Sequence, residues 1–130
     1  MEAMKRMILS LILGLVAGQT YAAGDISGSY KCSGYDPYDK TNYTESIVFK
    51  KAGSAYSIQL IHSDSVVPYN LGTGVMNKDV NNAMGLVYWD PQKPTTMGTE
   101  LFEIKSDGSL DGVWTSSGTK WIGTETCTKG

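Results

Sequence analysis

From residue 29 onward the chain runs in short alternations of apolar and polar residues, separated by turn-forming residues. Ala55 to His62 shows the pattern best. Tyr56, Ile58 and Leu60 alternate with Ser57 and Gln59, as in a strand with one dry and one wet face. The same reading, helped by Val, Ile, Thr, Tyr and Trp enrichment, predicts strands over 29–34, 43–51, 55–62, 69–76, 84–89, 99–105, 110–115 and 120–128. In the second of these Tyr43, Ile47 and Phe49 share a face and Val48 takes the other. Turns are expected at Lys51-Ala52-Gly53-Ser54, Ser63-Asp64-Ser65, Asn77 to Asn82, Ser106-Asp107-Gly108 and Ser116-Ser117-Gly118, and a two-proline loop at Asp90 to Pro94. No helix is required after residue 23.

Eight short strands joined by tight turns form a sequential meander, and closing it removes exposed edges. The predicted fold class is all-β: a single antiparallel eight-stranded up-and-down barrel. Glycines fall in or beside nearly every strand, including Gly34, Gly72, Gly74, Gly98, Gly112 and Gly123. They are expected to mark the bulges and bends that a small barrel needs.

Residues 1–23 have a different pattern. Lys5 and Arg6 precede an uncharged, mostly apolar run from Met7 to Ala17, then Thr20-Tyr21-Ala22-Ala23. This is the tripartite arrangement of a cleaved secretory signal. The apolar run is about half the roughly 20 residues needed to cross a bilayer, so no membrane span is expected after cleavage. The expected organisation is a signal peptide over 1–23 and one domain over 24–130, located in the periplasm or secreted.

Export changes the reading of the two cysteines. Cys32 and Cys127 lie on the first and last predicted strands with ninety-four residues between them. An even pair in an exported chain favours a disulfide, which here would tie the first strand to the last. Closing so long a loop would stabilise by roughly 4 to 5 kcal/mol in the chain-entropy model. The formal net charge is only −2, with the signs interspersed. Without a basic stripe, nucleic acid is not an expected partner.

Several segments carry a family resemblance. They are Gly28-Ser29-Tyr30-Lys31-Cys32-Ser33-Gly34-Tyr35-Asp36-Pro37-Tyr38, Asn42-Tyr43-Thr44, Asp107 to Trp114 (DGSLDGVW) and Gly123-Thr124-Glu125-Thr126-Cys127. Together they resemble small exported gammaproteobacterial proteins labelled fibronectin-binding protein. The broader shape is similar to calycin, avidin-like and lipocalin-like barrels. The resemblance implies a bacterial, exported, non-enzymatic binding protein. Its implied partner is a protein such as host fibronectin, another matrix protein or an envelope component.

The candidate chemistry is sparse. His62 is the only histidine, which rules out a multi-histidine metal site, and no local pattern places a nucleophile and an acid around it. Asp36, Asp39 and Asn42, and Asp79, Asn81 and Asn82, lack calcium-loop spacing and read as turn residues. No enzyme, cofactor or metal is expected. Glu103 reads as outward, opposite Phe102 and Ile104. Glu125 shares parity with Trp121 and is a candidate to face an aromatic wall.

Aromatic residues are the main binding candidates. Trp89, Trp114 and Trp121 join tyrosines on several strands, and an eight-stranded barrel is just wide enough to be filled by side chains or to hold one small ligand. The loop Tyr35-Asp36-Pro37-Tyr38 is a second candidate, since tyrosine is favoured at interfaces. The expected function is a module that recognises a protein through mouth loops, which would have a filled core; the alternative is a carrier. A small-molecule carrier would have an aromatic-lined cavity and would lose its hydrophobic or aromatic ligand on Trp114→Ala or Trp121→Ala.

Overall fold

The computed structural model describes residues 24–77, 79, 80 and 82–130. The expected signal segment lies outside the described residues. The strands are β1 (Gly28–Asp36), β2 (Thr41–Ala52), β3 (Ala55–His62), β4 (Pro68–Met76), β5 (Ala83–Asp90), β6 (Lys93–Ile104), β7 (Leu110–Ser116) and β8 (Gly123–Lys129). Each pairs antiparallel with the next, and β8 returns to β1 to close the barrel in sequential order.

The closing seam carries the disulfide. Cys32 and Cys127 are directly opposed across β1 and β8 and are bonded, with their Cα atoms 4.0 Å apart. Both point into the core and are essentially inaccessible to solvent.

Two predicted boundaries are corrected. β6 begins at Lys93, so most of the expected proline loop is strand; only a two-residue turn separates it from β5. β8 begins at Gly123 rather than Lys120, which leaves Trp121 in the β7–β8 loop. There Thr119 donates to Ser116 O and Thr115 to Trp121 O. These side-chain bonds hold the segment in a local turn that competes with the strand ladder.

Alternation divides the interior into two halves. The end bearing the β2–β3, β4–β5 and β6–β7 turns is packed solid. Phe49 makes edge contacts with Tyr30, Tyr56 and Phe102 at centroid distances of 5.4, 6.5 and 6.2 Å, a favoured aromatic geometry. Ile47, Ile58, Met84 and Leu110 fill the space around them. The segment before β1 caps this end. Ile26 is buried, its carbonyl accepts from Tyr30 Oη at 3.0 Å, and Tyr56 Oη donates to Asp25 at 2.9 Å. The opposite half is built from different residue types and is open.

Candidate functional site

At the end bearing the β1–β2, β3–β4, β5–β6 and β7–β8 turns, the inward positions are glycines, aromatics and acids. On β2 the inward series is Tyr43, Glu45, Ile47, Phe49; on β6 it is Gly98, Glu100, Phe102; on β8 it is Gly123, Glu125, Cys127. Each series changes from apolar to acidic at the same level of the barrel. The result is a cavity of about 350 Å³, within the range of small-molecule sites.

Glycines make the room for the aromatic walls. Gly34 is paired with Tyr43, Gly98 with Tyr88 and Gly123 with Trp114. In each pair the ring lies over its cross-strand glycine, in the space that a Cβ would occupy. The bends expected of these glycines therefore have a second use, as floor space for rings. Tyr43 and Trp114 meet edge to face at 6.2 Å.

Tyr69 reaches the same space by a different route. The β3–β4 register shifts between Leu60 and Ile61. A bulge of this kind re-aims a side chain, and Tyr69 turns inward to donate its hydroxyl to Glu45 Oε1. Its ring stacks on His62 at 3.9 Å.

Three carboxyl groups meet at this level. Glu45, Glu100 and Glu125 are the only buried charged-type residues among the described residues, at 5, 3 and 4% exposure. Glu125 neighbours both of the others; its Oε1 accepts from Tyr43 Oη at 3.2 Å. It is flanked in register by Gly34 and Gly112, and Glu100 reaches across the space above Gly112. Burial disfavours the charged form of each acid. It raises Glu45 from 4.5 to about 9, with the neighbouring Glu125 carboxylate adding to the effect. Burial and Glu100 raise Glu125 to about 9. Burial takes Glu100 to about 8, with the neighbouring Glu125 working against the rise. Tyr43 and Tyr69 are pushed above the ordinary tyrosine value by burial and by these acids.

Two oxygens and one N–H at this level are buried without a hydrogen-bond partner among the described residues: Glu100 Oε2, Glu125 Oε2 and Trp114 Nε1. Unsatisfied buried polar atoms are costly and call for an explanation. A Glu125 oxygen also lies within 4.8 Å of both cysteine sulfurs. Those sulfurs are bonded to each other and offer no thiolate to a metal.

The expected site residues divide clearly. Glu125 and Trp114 line the cavity. Asp36 sits at its mouth, where Oδ1 accepts from the Tyr38 and Asp39 backbone N–H groups at 2.9 and 3.4 Å and shapes the β1–β2 turn. Tyr35 and Tyr38 are exposed on that turn's flanks. Trp89 alternates with the inward Tyr88 and stands half-buried on the outer face. Trp121 does not share a wall with Glu125, because the later start of β8 puts it in an exposed loop. Glu103 faces outward and pairs with Lys105 at 3.3 Å, as its parity predicts. Glu45 and Glu100 were not singled out by the sequence, although Glu45 has the parity of Tyr43 and Ile47 and Glu100 that of Phe102.

Gly112 offers a local check. A Cβ there would meet the Glu100 carboxylate and lie 2.7 Å from Phe102 Cε1. Overpacking of this kind costs about 1–3 kcal/mol. Gly112→Ala should lower denaturant stability by that amount, whereas Gly85→Ala, which meets nothing within 4 Å, should change it by less than about 0.5 kcal/mol.

The fold and site define a closed eight-stranded up-and-down β-barrel, packed at one end and opening at the other onto an acidic, aromatic-walled cavity. No family model matches the chain, and no curated protein matches it. Among solved structures it is similar to a redesigned β barrel, at 12% identity with a TM-score of 0.66, over 85% of this chain and 96% of that one. That likeness concerns the fold alone.

Proposed function

We propose that this protein is a non-enzymatic binding protein that holds a small molecule in the open half of its barrel. The observation that carries the reading is the cavity of about 350 Å³ with three buried polar atoms that lack partners. A filled core would favour a protein-binding module. Here the end bearing the β2–β3 turn is filled, while the open end keeps aromatic walls and a few convergent polar groups, the usual composition of a ligand site. On this reading the protein acts in the periplasm or outside the cell.

A second reading has support from the rim. Tyr38, Val66, Val67 and Ile122 are 69, 91, 68 and 67% exposed on turns around the mouth, and exposed apolar clusters mark interaction surfaces. This rim, with the resemblance to exported fibronectin-binding-labelled proteins, supports recognition of a matrix or envelope protein through the mouth loops.

Native mass spectra of protein purified from its own export pathway separate the two. The cavity reading predicts a stoichiometric adduct of a few hundred daltons that is lost in Trp114→Ala while the barrel stays folded by circular dichroism. Trp121→Ala should retain it. A bare chain, with Trp114→Ala indistinguishable in ligand-dependent fluorescence, would sink the cavity reading.

A further inference from the structure

We infer that the cavity selects an organic cation: an amidinium, guanidinium or ammonium group carried on a flat or apolar body. The inference rests on the cavity reading above and deepens it by naming the class of ligand.

The charge inventory of the wall is one-sided. Five carboxyl groups line the cavity: Glu45, Glu100 and Glu125 at depth, Asp36 and Asp39 at the mouth. No lysine or arginine does, and His62 is the one basic side chain on the wall. His62 stacks on Tyr69, lies directly opposite Glu45 across the β2–β3 ladder and is exposed, so the buried positions hold acids alone. The other titratable groups facing the acids are the hydroxyls of Tyr43, Tyr69 and Tyr88. Two of these already donate to carboxylates, and Tyr88 Oη donates to Thr115 O at 3.3 Å.

Two of the three orphan atoms are carboxyl oxygens and set the polarity of the missing partner; the third, Trp114 Nε1, is a donor and asks for an acceptor on the ligand's body. Glu100 Oε2 and Glu125 Oε2 belong to side chains more than nine-tenths buried and line the cavity. Ionised oxygens accept only, so their partner must donate. A proton shared by Glu125 and Glu100 meets that need in the free protein. A cation with N–H donors meets it without keeping the proton, and its charge offsets that of the carboxylates. The walls suit the remainder of such a ligand. Trp114, Tyr43 and Tyr88 present aromatic surface around the acids, and aromatic faces attract cations, more strongly when desolvated. An anion would meet carboxyl groups with no buried positive charge to offset them. A neutral body would leave the cluster its proton and offset none of the charge that develops as the pH rises.

Binding should therefore exchange a proton for the cation. Below the titration of the cluster, affinity should rise with pH by up to about tenfold per unit for each proton released.

The test uses three molecules of nearly the same shape, benzamidinium, benzamide and benzoate, titrated into the intact disulfide-bonded protein by calorimetry between pH 6 and 9 in buffers of different ionisation enthalpy. Benzamidinium is expected to bind at least tenfold tighter than benzamide at pH 8, to tighten as pH rises and to release protons to the buffer. Benzoate is expected to be the weakest. Glu125→Gln and Glu100→Gln, near-isosteric changes, should each weaken benzamidinium by tenfold or more and reduce proton release. The wild-type comparison of the three molecules decides the matter even if a variant fails to fold. Equal or tighter binding of benzamide or benzoate overturns the inference, as does failure of benzamidinium to bind at any pH. The cavity reading falls separately, if protein from its own export pathway carries no adduct and Trp114→Ala changes nothing.

Discussion

Raising the pH from 5 to 9 should destabilise this barrel by about 4 kcal/mol, or roughly 20 °C in Tm. Glu45, Glu100 and Glu125 have folded-state pKa values well above the ordinary 4.5, with burial as the main cause in each. Between about pH 4.5 and 9 the folded protein therefore holds more protons than the unfolded chain, and stability falls as pH rises through that window. One carboxyl following the whole window loses about 1.4 kcal/mol per pH unit. The expected total is set far below three times that, because the groups share protons and local relaxation lets water reach them. Asp25 sets the acid side. Hydrogen bonds from Ser27, with a smaller one from Tyr56, hold its carboxyl down at about 2, so its contribution is lost only as pH falls towards that value. Stability should peak near pH 5. Chemical denaturation at pH 5, 7 and 9 checks the slope; a flat or rising profile over that range would mean that the three acids are solvated and ordinary. The triple variant Glu45→Gln, Glu100→Gln, Glu125→Gln should abolish the slope if it folds.

Removing the disulfide should cost about 4 kcal/mol in the chain-entropy account. The bridge spans 95 positions and is the only covalent tie across the β1–β8 seam among the described residues. Without it the seam depends on the β1–β8 ladder and on local contacts such as Lys129 Nζ donating to Ser27 O at 2.6 Å. For a domain whose whole stability is of order 5–15 kcal/mol, a Cys32→Ala, Cys127→Ala chain should be marginal at 37 °C while keeping an all-β circular dichroism spectrum in the cold. The two alanines leave a small void beside Leu110 and Glu125, so reduced wild-type protein is the better control. A change below about 1 kcal/mol in urea midpoint analysis would show that the seam holds without the bridge.

Much of the fold was legible because small barrels alternate strictly. Tyr56-Ser57-Ile58-Gln59-Leu60 declares its faces unaided, and Ser106-Asp107-Gly108 declares a turn, with Gly108 at φ +87° where other residues are strained. The site was legible in part. Glu125 was singled out by its parity with Trp121, which the structure moves off β8; parity with the buried Cys127 would have placed it, and the same rule applied to Tyr43, Glu45, Ile47 and to Glu100, Phe102 would have placed the other two acids. Acids in strands are usually solvated, which is why composition alone points them outward. Three features lay beyond one-dimensional reading. Tyr69 reaches Glu45 through a bulge set by the β3–β4 register. Trp121 lies outside β8 because its segment folds back through hydroxyl–backbone bonds. The cavity exists because three rings each lie over a glycine on the neighbouring strand, a match of register that appears only once pairing is known.

Glu45, Glu100 and Glu125 form a desolvated acid cluster facing an open cavity. Carboxyl ¹³C NMR titration of Glu45, Glu100 and Glu125 tests this most directly. The expected midpoints are near 8–9 in the free protein, falling when benzamidinium saturates the site. Midpoints between 4 and 5 in the free protein would contradict the account, since they would mean that water already satisfies these carboxylates and no ligand is called for.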